Sequence, residues 1–286
     1  AVKYILIIIF YLTPIFAQDG FIGDVFDRGK IDYGNRTIQA IGIGFIPSNV
    51  INAGQARRSA MRIAKQDALR QLIEIVNGVN VTSETTISGA MFDDVIKSQV
   101  QGAIRGARRV GETRYLSDTS VEVTYEVSMN DISRVLLPMA DKAPSLIYGE
   151  TTAANPVVDA TTNSVNITSA PISSGITGII IDGTGLGLRP AMSPRVLDQS
   201  GNVIYGPGNY SREYATLNGV VGYTKTVDQA KSDARVQGNP LVLRGASASG
   251  SSQTDLIISN EDAAKMMRAE GTSGLLKDCR VIFIVG

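Results

Sequence analysis

The sequence predicts an α+β protein made of two small mixed domains with extended arms. The first observation behind this prediction is a stripe of four alanines at intervals of four residues: Ala56, Ala60, Ala64 and Ala68. On an α-helix this spacing places all four on one face. A stripe of methyl groups allows a helix to lie almost backbone-close on a neighbour, usually a sheet. The second observation is strict apolar–polar alternation over residues 120–129, which is typical of a half-buried antiparallel strand.

Composition excludes several classes of site. The 286 residues include no His and a single Cys, and 27 basic residues balance 27 acidic ones. Without histidine there is no Ser-His-Asp or Cys-His catalysis and no histidine-bound zinc. One cysteine excludes an internal disulfide and a thiolate metal cluster. Zero net charge argues against a generic nucleic-acid or anionic-membrane binder. Cys279 opens an apolar run and is predicted to be a buried strand residue.

Residues 1–17 form a signal-like apolar segment. Lys3 precedes an apolar run over residues 5–12, Pro14 interrupts the run, and the small residue Ala17 follows. This pattern predicts a secretory signal cleaved after Ala17, and therefore export to the periplasm, the outer membrane or the exterior. The segment is short for a membrane span, so no stable span is expected. If the segment is instead retained, its apolar side chains need cover, which neighbouring copies of the chain would provide.

Two regions follow before the middle of the chain. Residues 18–36 are rich in Gly and Asp and are predicted to be an extended arm. Residues 37–142 are predicted to form an N-terminal α+β domain with the order β-α-α-β-β. Its predicted elements are a strand at 37–46, a helix capped by Ser48, Asn49 or Asn52 and ending near 76, a helix at 91–107, strands at 109–116 and 120–129, and a short helix at 131–137 that stops at Pro138. The predicted apolar face of the second helix comprises Phe92, Ile96, Val100, Ala103 and Ala107.

The second half begins with a change of composition. Residues 143–175 contain no Lys or Arg and are rich in Thr, Ser and Asn. They fit a solvated linker and an arm lying on a neighbour equally well. Residues 176–286 are predicted to form a C-terminal α/β domain with a mixed sheet. Its predicted elements are strands at 178–181, 191–198, 203–205, 241–243, 254–258 and 279–285, and helices at 227–235 and 261–270. The apolar first and last strands indicate a central sheet.

Polar motifs supply no convincing chemistry. The glycine series over residues 182–187 lacks the G-x-G-x-x-G spacing, and Arg189 and Pro190 stand where a helix should begin. Glu122 and Glu126 share a strand face, yet nothing places them in a cleft as a glycosidase pair. Four aspartates lack the spacing of a calcium loop: Asp19, Asp24, Asp27 and Asp32. We therefore expect no catalytic residue, cofactor or metal.

The basic side chains beside the alanine stripe are best read as a solvated or subunit-facing surface. They comprise Arg57, Arg58, Arg62, Lys65 and Arg70. No aromatic residues interleave with them as nucleic-acid binding would require, and acidic partners are near.

Three segments resemble a family of bacterial envelope proteins. They are Ala40-Ile41-Gly42-Ile43-Gly44, the alanine-striped residues 56–68, and the strand around Val121-Glu122-Val123. The family is lipoprotein-like and includes flagellar basal-disk and outer-membrane-ring accessory proteins; the resemblance covers about residues 37–137. Residues 185–198, 211–214 and 238–242 are similar to the C-terminal part of longer exported relatives of unestablished role. The resemblance implies an exported protein that associates laterally into rings or disks and offers no catalytic residues to transfer. This chain lacks the family's lipid-accepting cysteine, which favours release from the cell surface.

Together these features predict a non-enzymatic structural protein that assembles into a ring, tube or extracellular filament. Its expected partners are copies of itself and other envelope proteins. The residues expected to mediate self-assembly are Ile7, Ile8, Phe10, Phe21, Phe26, Val157, Val165 and Ile167. A monomeric periplasmic or outer-membrane accessory module is the alternative hypothesis, and a hydrolase that uses carboxylates is the third.

Overall fold

The structure is a computed structural model that describes residues 21–46, 52–116, 120–142 and 175–286, with side chains described up to residue 137 in the third range. Helices combine with two sheets, one antiparallel and one mixed, so the α+β prediction is confirmed. The connection between the strands predicted at 109–116 and 120–129, the caps Ser48 and Asn49, and residues 143–174 of the predicted linker or arm lie outside the described residues.

The first sheet has five antiparallel strands in the order β1-β2-β3-β5-β4. Its strands are β1 (Gly23–Phe26), β2 (Gly29–Asp32), β3 (Thr37–Phe45), β4 (Arg108–Tyr115) and β5 (Ser120–Ser128). The helices of this half are α1 (Ala53–Asn77), α2 (Ile87–Ala90), α3 (Asp94–Arg105) and α4 (Met129–Lys142). The central pair β3–β5 is in continuous register from Thr37 opposite Ser128 to Phe45 opposite Ser120.

The segment predicted to be an extended arm is largely part of this sheet. Strands β1 and β2 form a hairpin, and β2 pairs with β3 from Gly29 opposite Ala40 to Asp32 opposite Thr37. Ile22 and Ile31 are buried in the core. The prediction over residues 18–36 is therefore corrected for residues 21–36. The hairpin is short and its outer strand is mostly exposed, so its apolar alternation is too weak to show in the sequence.

Helix α1 lies on the sheet at backbone contact, as the alanine stripe predicts. Ala60, Ala64 and Ala68 are fully buried. A Cβ atom at Gly42 would overlap the carbonyl oxygen of Ala64, and one at Gly44 would overlap that of Ala60. The helix begins after Asn52, whose side-chain oxygen accepts hydrogen bonds from the amides of Gly54 and Gln55. Small residues on both partners thus set the separation of helix and sheet.

Two other helices differ from their predictions. Helix α3 begins at Asp94 after the cap Asp93, so Phe92 precedes the helix and is 62% exposed. Its buried face consists of Ile96, Val100 and Ile104, and Ala103 and Ala107 are only half-buried. Helix α4 continues through Pro138 to Lys142. The predicted stop at Pro138 is therefore wrong. Proline removes one amide donor from a helix, but α4 continues past it.

The second sheet has seven strands in the order β8-β7-β11-β10-β6-β12-β9. Its strands are β6 (Ile179–Asp182), β7 (Val196–Asp198), β8 (Val203–Tyr205), β9 (Gly222–Thr224), β10 (Leu241–Ser249), β11 (Asp255–Ile258) and β12 (Val281–Ile284). The helices of this half are α5 (Arg212–Asn218), α6 (Val227–Ser232) and α7 (Asn260–Ser273). Strands β6 and β12 are neighbours and run parallel, and every residue of β12 is buried. The predicted central, mixed sheet is confirmed.

Several element boundaries in this half differ from the prediction, and two of the differences occur at residues with a positive φ. Cys279 is buried as predicted but precedes β12, because its φ of 51° lies in the left-handed region and interrupts the strand. Helix α7 passes the predicted stop at Gly271 and ends before Gly274, whose φ of 62° suits a left-handed cap. Strand β7 begins only at Val196. Helix α5 and strand β9 are short and were not predicted.

The two sheets share one continuous apolar core, and a polar cluster fastens them together. Ser83, in the loop before α2, donates to Asp255 over 2.6 Å, and Asp255 is 1% exposed. Arg195 contacts the same carboxylate through its backbone amide (2.8 Å) and through its guanidinium (2.6 Å). A buried carboxylate is stable only when its charge and lone pairs are satisfied, and here residues of both halves satisfy them.

The contact between α1 and the sheet generates a stability prediction. Gly42→Ala introduces a methyl group where the backbone of α1 leaves no space, so we expect the free energy of unfolding to fall by about 1–3 kcal/mol. Gly102→Ala is the matched control, because a methyl group at this helical position meets nothing within 4 Å. It should stabilise the protein by about 0.5–1 kcal/mol. Urea denaturation followed by circular dichroism measures both, and equal effects would contradict this account of the packing.

Candidate functional site

One face of the five-stranded sheet carries no helix among the described residues. Alternate residues of β3 point toward α1 and are buried, and the intervening residues point the other way. We call this second surface the open face. It comprises Gln39, Ile41, Ile43 and Phe45 of β3, Glu122, Thr124 and Glu126 of β5, and Arg108, Val110 and Arg114 of β4. It joins aliphatic side chains on β3 to charged side chains on β5 and β4.

The charged part of the open face is internally paired. Arg108 donates to one carboxylate oxygen of Glu126 at 2.7 Å, and Gln39 donates to the other at 2.7 Å. Arg114 contacts Glu122 at 2.8 Å. Both glutamates are therefore engaged by arginine, and neither faces a cleft. Because the two arginines are largely exposed, these ion pairs add little stability.

The two margins of the sheet differ in how they resist strand addition. Strand β4 carries Arg108, Arg109 and Arg114, and its register with β5 shifts between Val110 and Arg114, where Gly111 has a φ of 68°. Charges and a bulge on an edge strand both oppose pairing with another chain. The margin formed by β4 is thus protected.

The opposite margin is open where β3 extends past β2. The last contact with the hairpin is the bond from the Ile41 amide to the Arg28 carbonyl, at 2.8 Å. The next amide on that side, of Ile43, donates to the carboxylate of Asp67 at 3.0 Å rather than to a strand. Phe45 lies beyond it and is 60% exposed. A short length of strand edge is therefore left without a neighbouring strand among the described residues.

A groove of about 730 Å³ runs between this edge and α1. We call it the β3 groove, and its lining residues are Arg28, Ile43, Phe45, Arg62, Ile63, Gln66, Asp67 and Arg70. Ile63 projects from α1 and is 44% exposed. Apolar side chains thus flank an open strand edge, with cationic groups at the rim. An extended segment can add to such an edge through backbone hydrogen bonds while its side chains contact the apolar wall.

Asp67 organises the β3 groove electrostatically. Burial raises the pKa of its carboxyl, but the Ile43 amide and Arg28 together outweigh burial and hold the pKa below its ordinary value. Arg70 adds an ion pair at 2.8 Å. Asp67 therefore remains ionised and holds β3, α1 and the end of the hairpin in place.

The predicted self-assembly residues are only partly within the described residues. Phe21 is half-buried, with the Lys30 ammonium 5.8 Å from its ring centre. Phe26 is 45% exposed and lines a separate cavity of about 530 Å³ beside α1. The other six lie outside the described residues: Ile7, Ile8, Phe10, Val157, Val165 and Ile167.

Sequence reasoning did not select Ile43, Phe45 and Ile63. A signal was available for the first two, because glycine at positions 42 and 44 marks the helix-facing side of β3. The aliphatic and aromatic residues between these glycines must then face away from the core. Ile63 carries no such signal in the sequence, since its position on α1 does not show that it is 44% exposed.

The remaining polar motifs have structural roles. Asp32 is buried and accepts two bonds from Asn35, each of 2.8 Å. Among the described residues, no three potential metal ligands come together. On α1, Arg57 and Lys65 each lie 5.8 Å from a tyrosine ring centre. The glycine series forms a turn in which the Thr184 amide bonds to Asp182 at 2.9 Å, and no helix follows it before strand β7.

None of the helices in the described part of the chain is both long enough and apolar enough to cross a membrane.

Residues 178–286 match a family model described as the second domain of Treponema pallidum Tp0624, a bacterial domain. The match begins just before β6 and covers the whole seven-stranded sheet. No curated protein matches the chain.

The environment of Asp67 predicts a pH-dependent effect. Asp67→Asn should lower the free energy of unfolding at pH 7 by about 1–2 kcal/mol, because hydrogen bonds and ion pairs to a charged acceptor are lost. The folded-state pKa is depressed below the ordinary value of 3.8, so this stabilisation is present above pH 3.8 and disappears as the pH falls through the folded-state pKa. Urea denaturation at pH 7 and at about pH 2 measures the difference.

Asp131→Asn is the control, because Asp131 forms an exposed ion pair with Arg134 on α4. It should change stability little at either pH. A constant Asp67→Asn effect across the pH range would contradict the electrostatic role.

Proposed function

We propose that this chain is a non-enzymatic structural protein that associates with copies of itself through the β3 groove and the adjoining open face. The assembly is a ring, tube or filament outside the inner membrane. Edge pairing supplies directional backbone bonds, and the helices behind the sheet keep the edge straight. The observation that carries the proposal is the end of β3 at Ile43–Phe45, which has no neighbouring strand among the described residues. Asp67 occupies the Ile43 amide there, and the side chains of Phe45 and Ile63 are exposed beside it.

The difference between the β3 and β4 margins limits how copies of the chain can join. Strand β4 is charged and bulged, whereas β3 has no bulge and its margin combines apolar side chains with charged groups at the rim. Because one edge is protected, copies cannot extend a continuous sheet through both edges. A ring or tube then requires a second contact, and Ile7, Ile8 and Phe10 are candidates for it in a protein that retains residues 1–17.

Placement in the bacterial envelope rests on sequence. The signal-like residues 1–17 favour export, and residues 37–137 resemble lipoprotein-like envelope proteins that include flagellar basal-disk and outer-membrane-ring accessory proteins. The similarity of residues 178–286 to a bacterial domain is compatible with this placement. We propose that the protein acts in the periplasm, at the outer membrane or outside the cell.

A monomeric accessory module is the second candidate. It is favoured by the difference between the β3 and β4 margins, because the end of β3 suits capture of one strand from a different envelope protein. In that case, the β3 groove binds an extended segment of another protein in the same way, and the purified chain remains monomeric.

Substitutions in the β3 groove test self-association. Phe45→Lys combined with Ile63→Lys should shift the purified chain toward monomer, because two charges replace apolar contact surface. Phe92→Lys is the matched control, since Phe92 is 62% exposed on a different surface. Sedimentation velocity and negative-stain microscopy measure assembly, and circular dichroism checks the fold. A uniformly monomeric unmodified protein, or equal loss in the control, would contradict the proposal.

Truncation tests the apolar N-terminal segment. The cut should follow residue 20, because removal of residues 1–36 would also remove β1, β2 and the buried Ile31. The shortened protein should unfold at the same urea concentration and show a lower assembled fraction. An unchanged size distribution would contradict the role of Ile7, Ile8 and Phe10.

A further inference from the structure

A third cavity lies between the two halves, away from the β3 groove. Its volume is about 260 Å³. The turn between β2 and β3 forms one wall, and α5, β9 and the residues after α6 form the others. The lining residues are Tyr33, Gly34, Arg36, Tyr214, Asn218, Val221, Gly222, Tyr223, Asp233, Ala234 and Arg235. Its defining feature is the presence of two guanidinium groups, one from each half.

Arg36 reaches across from the N-terminal half. Its Nε donates to the side-chain oxygen of Asn130 at 2.9 Å, and its Nη2 makes longer contacts with Ser133 (3.4 Å) and with the carbonyl of Thr216 (3.5 Å). Its Nη1 packs on Gly219, where a Cβ atom would overlap it. The φ of 84° at Gly219 also favours glycine.

Arg235 approaches the same glycine from the C-terminal half. Its Nη1 donates to the carbonyls of Gly219 (3.1 Å) and Cys279 (2.8 Å), and its Nη2 donates to the carbonyl of Asn218. The two arginines therefore meet at the C-terminal end of α5. Helix carbonyls there satisfy part of their charge, in keeping with the negative end of the helix dipole.

Neither guanidinium forms an ion pair with a carboxylate of the described residues, in contrast to Arg195, which pairs with Asp255. Burial, and secondly the charge of Arg235, lower the pKa of Arg36 to about 10. Asp233 is the acidic residue of the wall, and it accepts the backbone amide of Arg235 at 2.8 Å. The cavity thus has two cationic groups and one anionic group.

Two donors remain for a ligand. Arg36 Nη1 and Arg235 Nε have no hydrogen-bond partner among the described residues, and both side chains belong to residues that are only partly buried. Guanidinium N–H groups in a partly enclosed site match the oxygens of phosphate in geometry and charge. A cavity of about 260 Å³ has space for a phosphate group together with a small substituent.

We propose that this cavity binds a phosphate group, carried by a small phosphomonoester or present as inorganic phosphate. The anion is held between Arg36 and Arg235, so its binding strengthens the contact between the two halves. The proposal is independent of the assembly proposed above, because the β3 groove shares no lining residue with this cavity.

Isothermal titration calorimetry of the full chain tests the proposal. Sodium phosphate and glycerol 3-phosphate are titrated separately at constant ionic strength, with sodium chloride as the reference. Saturable binding of either compound is expected. Tighter binding of the ester identifies a phosphorylated molecule as the ligand, and tighter binding of phosphate identifies the free ion. Absence of saturable binding by both would overturn the proposal.

Three variants locate the site. Arg36→Gln should weaken binding about tenfold or more, because a charge-assisted hydrogen bond is lost. Arg268→Gln removes an equal charge from the exposed face of α7 and should leave affinity unchanged. Asp233→Asn keeps an acceptor for the Arg235 amide while removing the negative charge, so affinity should rise about threefold.

The Asp233→Asn variant keeps the test decisive if Arg36→Gln fails to fold. Equal affinity of Asp233→Asn and the unmodified protein, or equal weakening by Arg268→Gln and Arg36→Gln, would overturn the assignment. The same titrations with the Phe45→Lys, Ile63→Lys protein separate the two proposals, because loss of assembly should leave phosphate binding intact.

Discussion

The backbone contact between α1 and β3 is the constraint on which the N-terminal half depends. At Gly42 and Gly44 the sheet has no side chains to hold the helix away, and opposite them α1 presents only methyl groups. Dispersion between closely packed backbones replaces the interdigitation of large side chains found in most helix–sheet contacts. Such a contact tolerates little change in volume, so it fixes the separation of helix and sheet.

The same constraint shapes the opposite surface. Because Gly42 and Gly44 occupy helix-facing positions near the end of β3, the residues that alternate with them point outward. Ile43 and Phe45 consequently reach the open face, although both are apolar. Asp67 then caps the Ile43 amide where a strand would otherwise pair. The β3 groove is therefore a consequence of how the helix packs, combined with a hairpin that ends early.

Local pattern was enough to predict the long elements. The alanine stripe predicted α1 and its contact with a sheet, and alternation predicted β5, because each signal spans many residues. Elements that depend on tertiary contacts were not predicted. Strands β1 and β2 were interpreted as an extended arm, and α5 is too short to give a periodic pattern. The β3 groove could be predicted in part from Gly42 and Gly44. The cavity between the halves could not, because Arg36 and Arg235 are far apart in sequence and meet only through the fold.

The contacts between the halves are polar as well as apolar, and this determines what kind of subunit the chain forms. Asp255 is buried with partners from both halves, so separating the halves would expose an apolar core and leave Ser83 without its acceptor, while Arg195, in the same half as Asp255, would keep its ion pair. Such an interface resists hinge motion because opening it would expose apolar core and break the buried hydrogen bond from Ser83. Arg36 and Arg235 differ, since their carbonyl partners leave positive charge uncompensated. An anion at that cavity would therefore act on an interface already held by Asp255, adding to its stability rather than creating it.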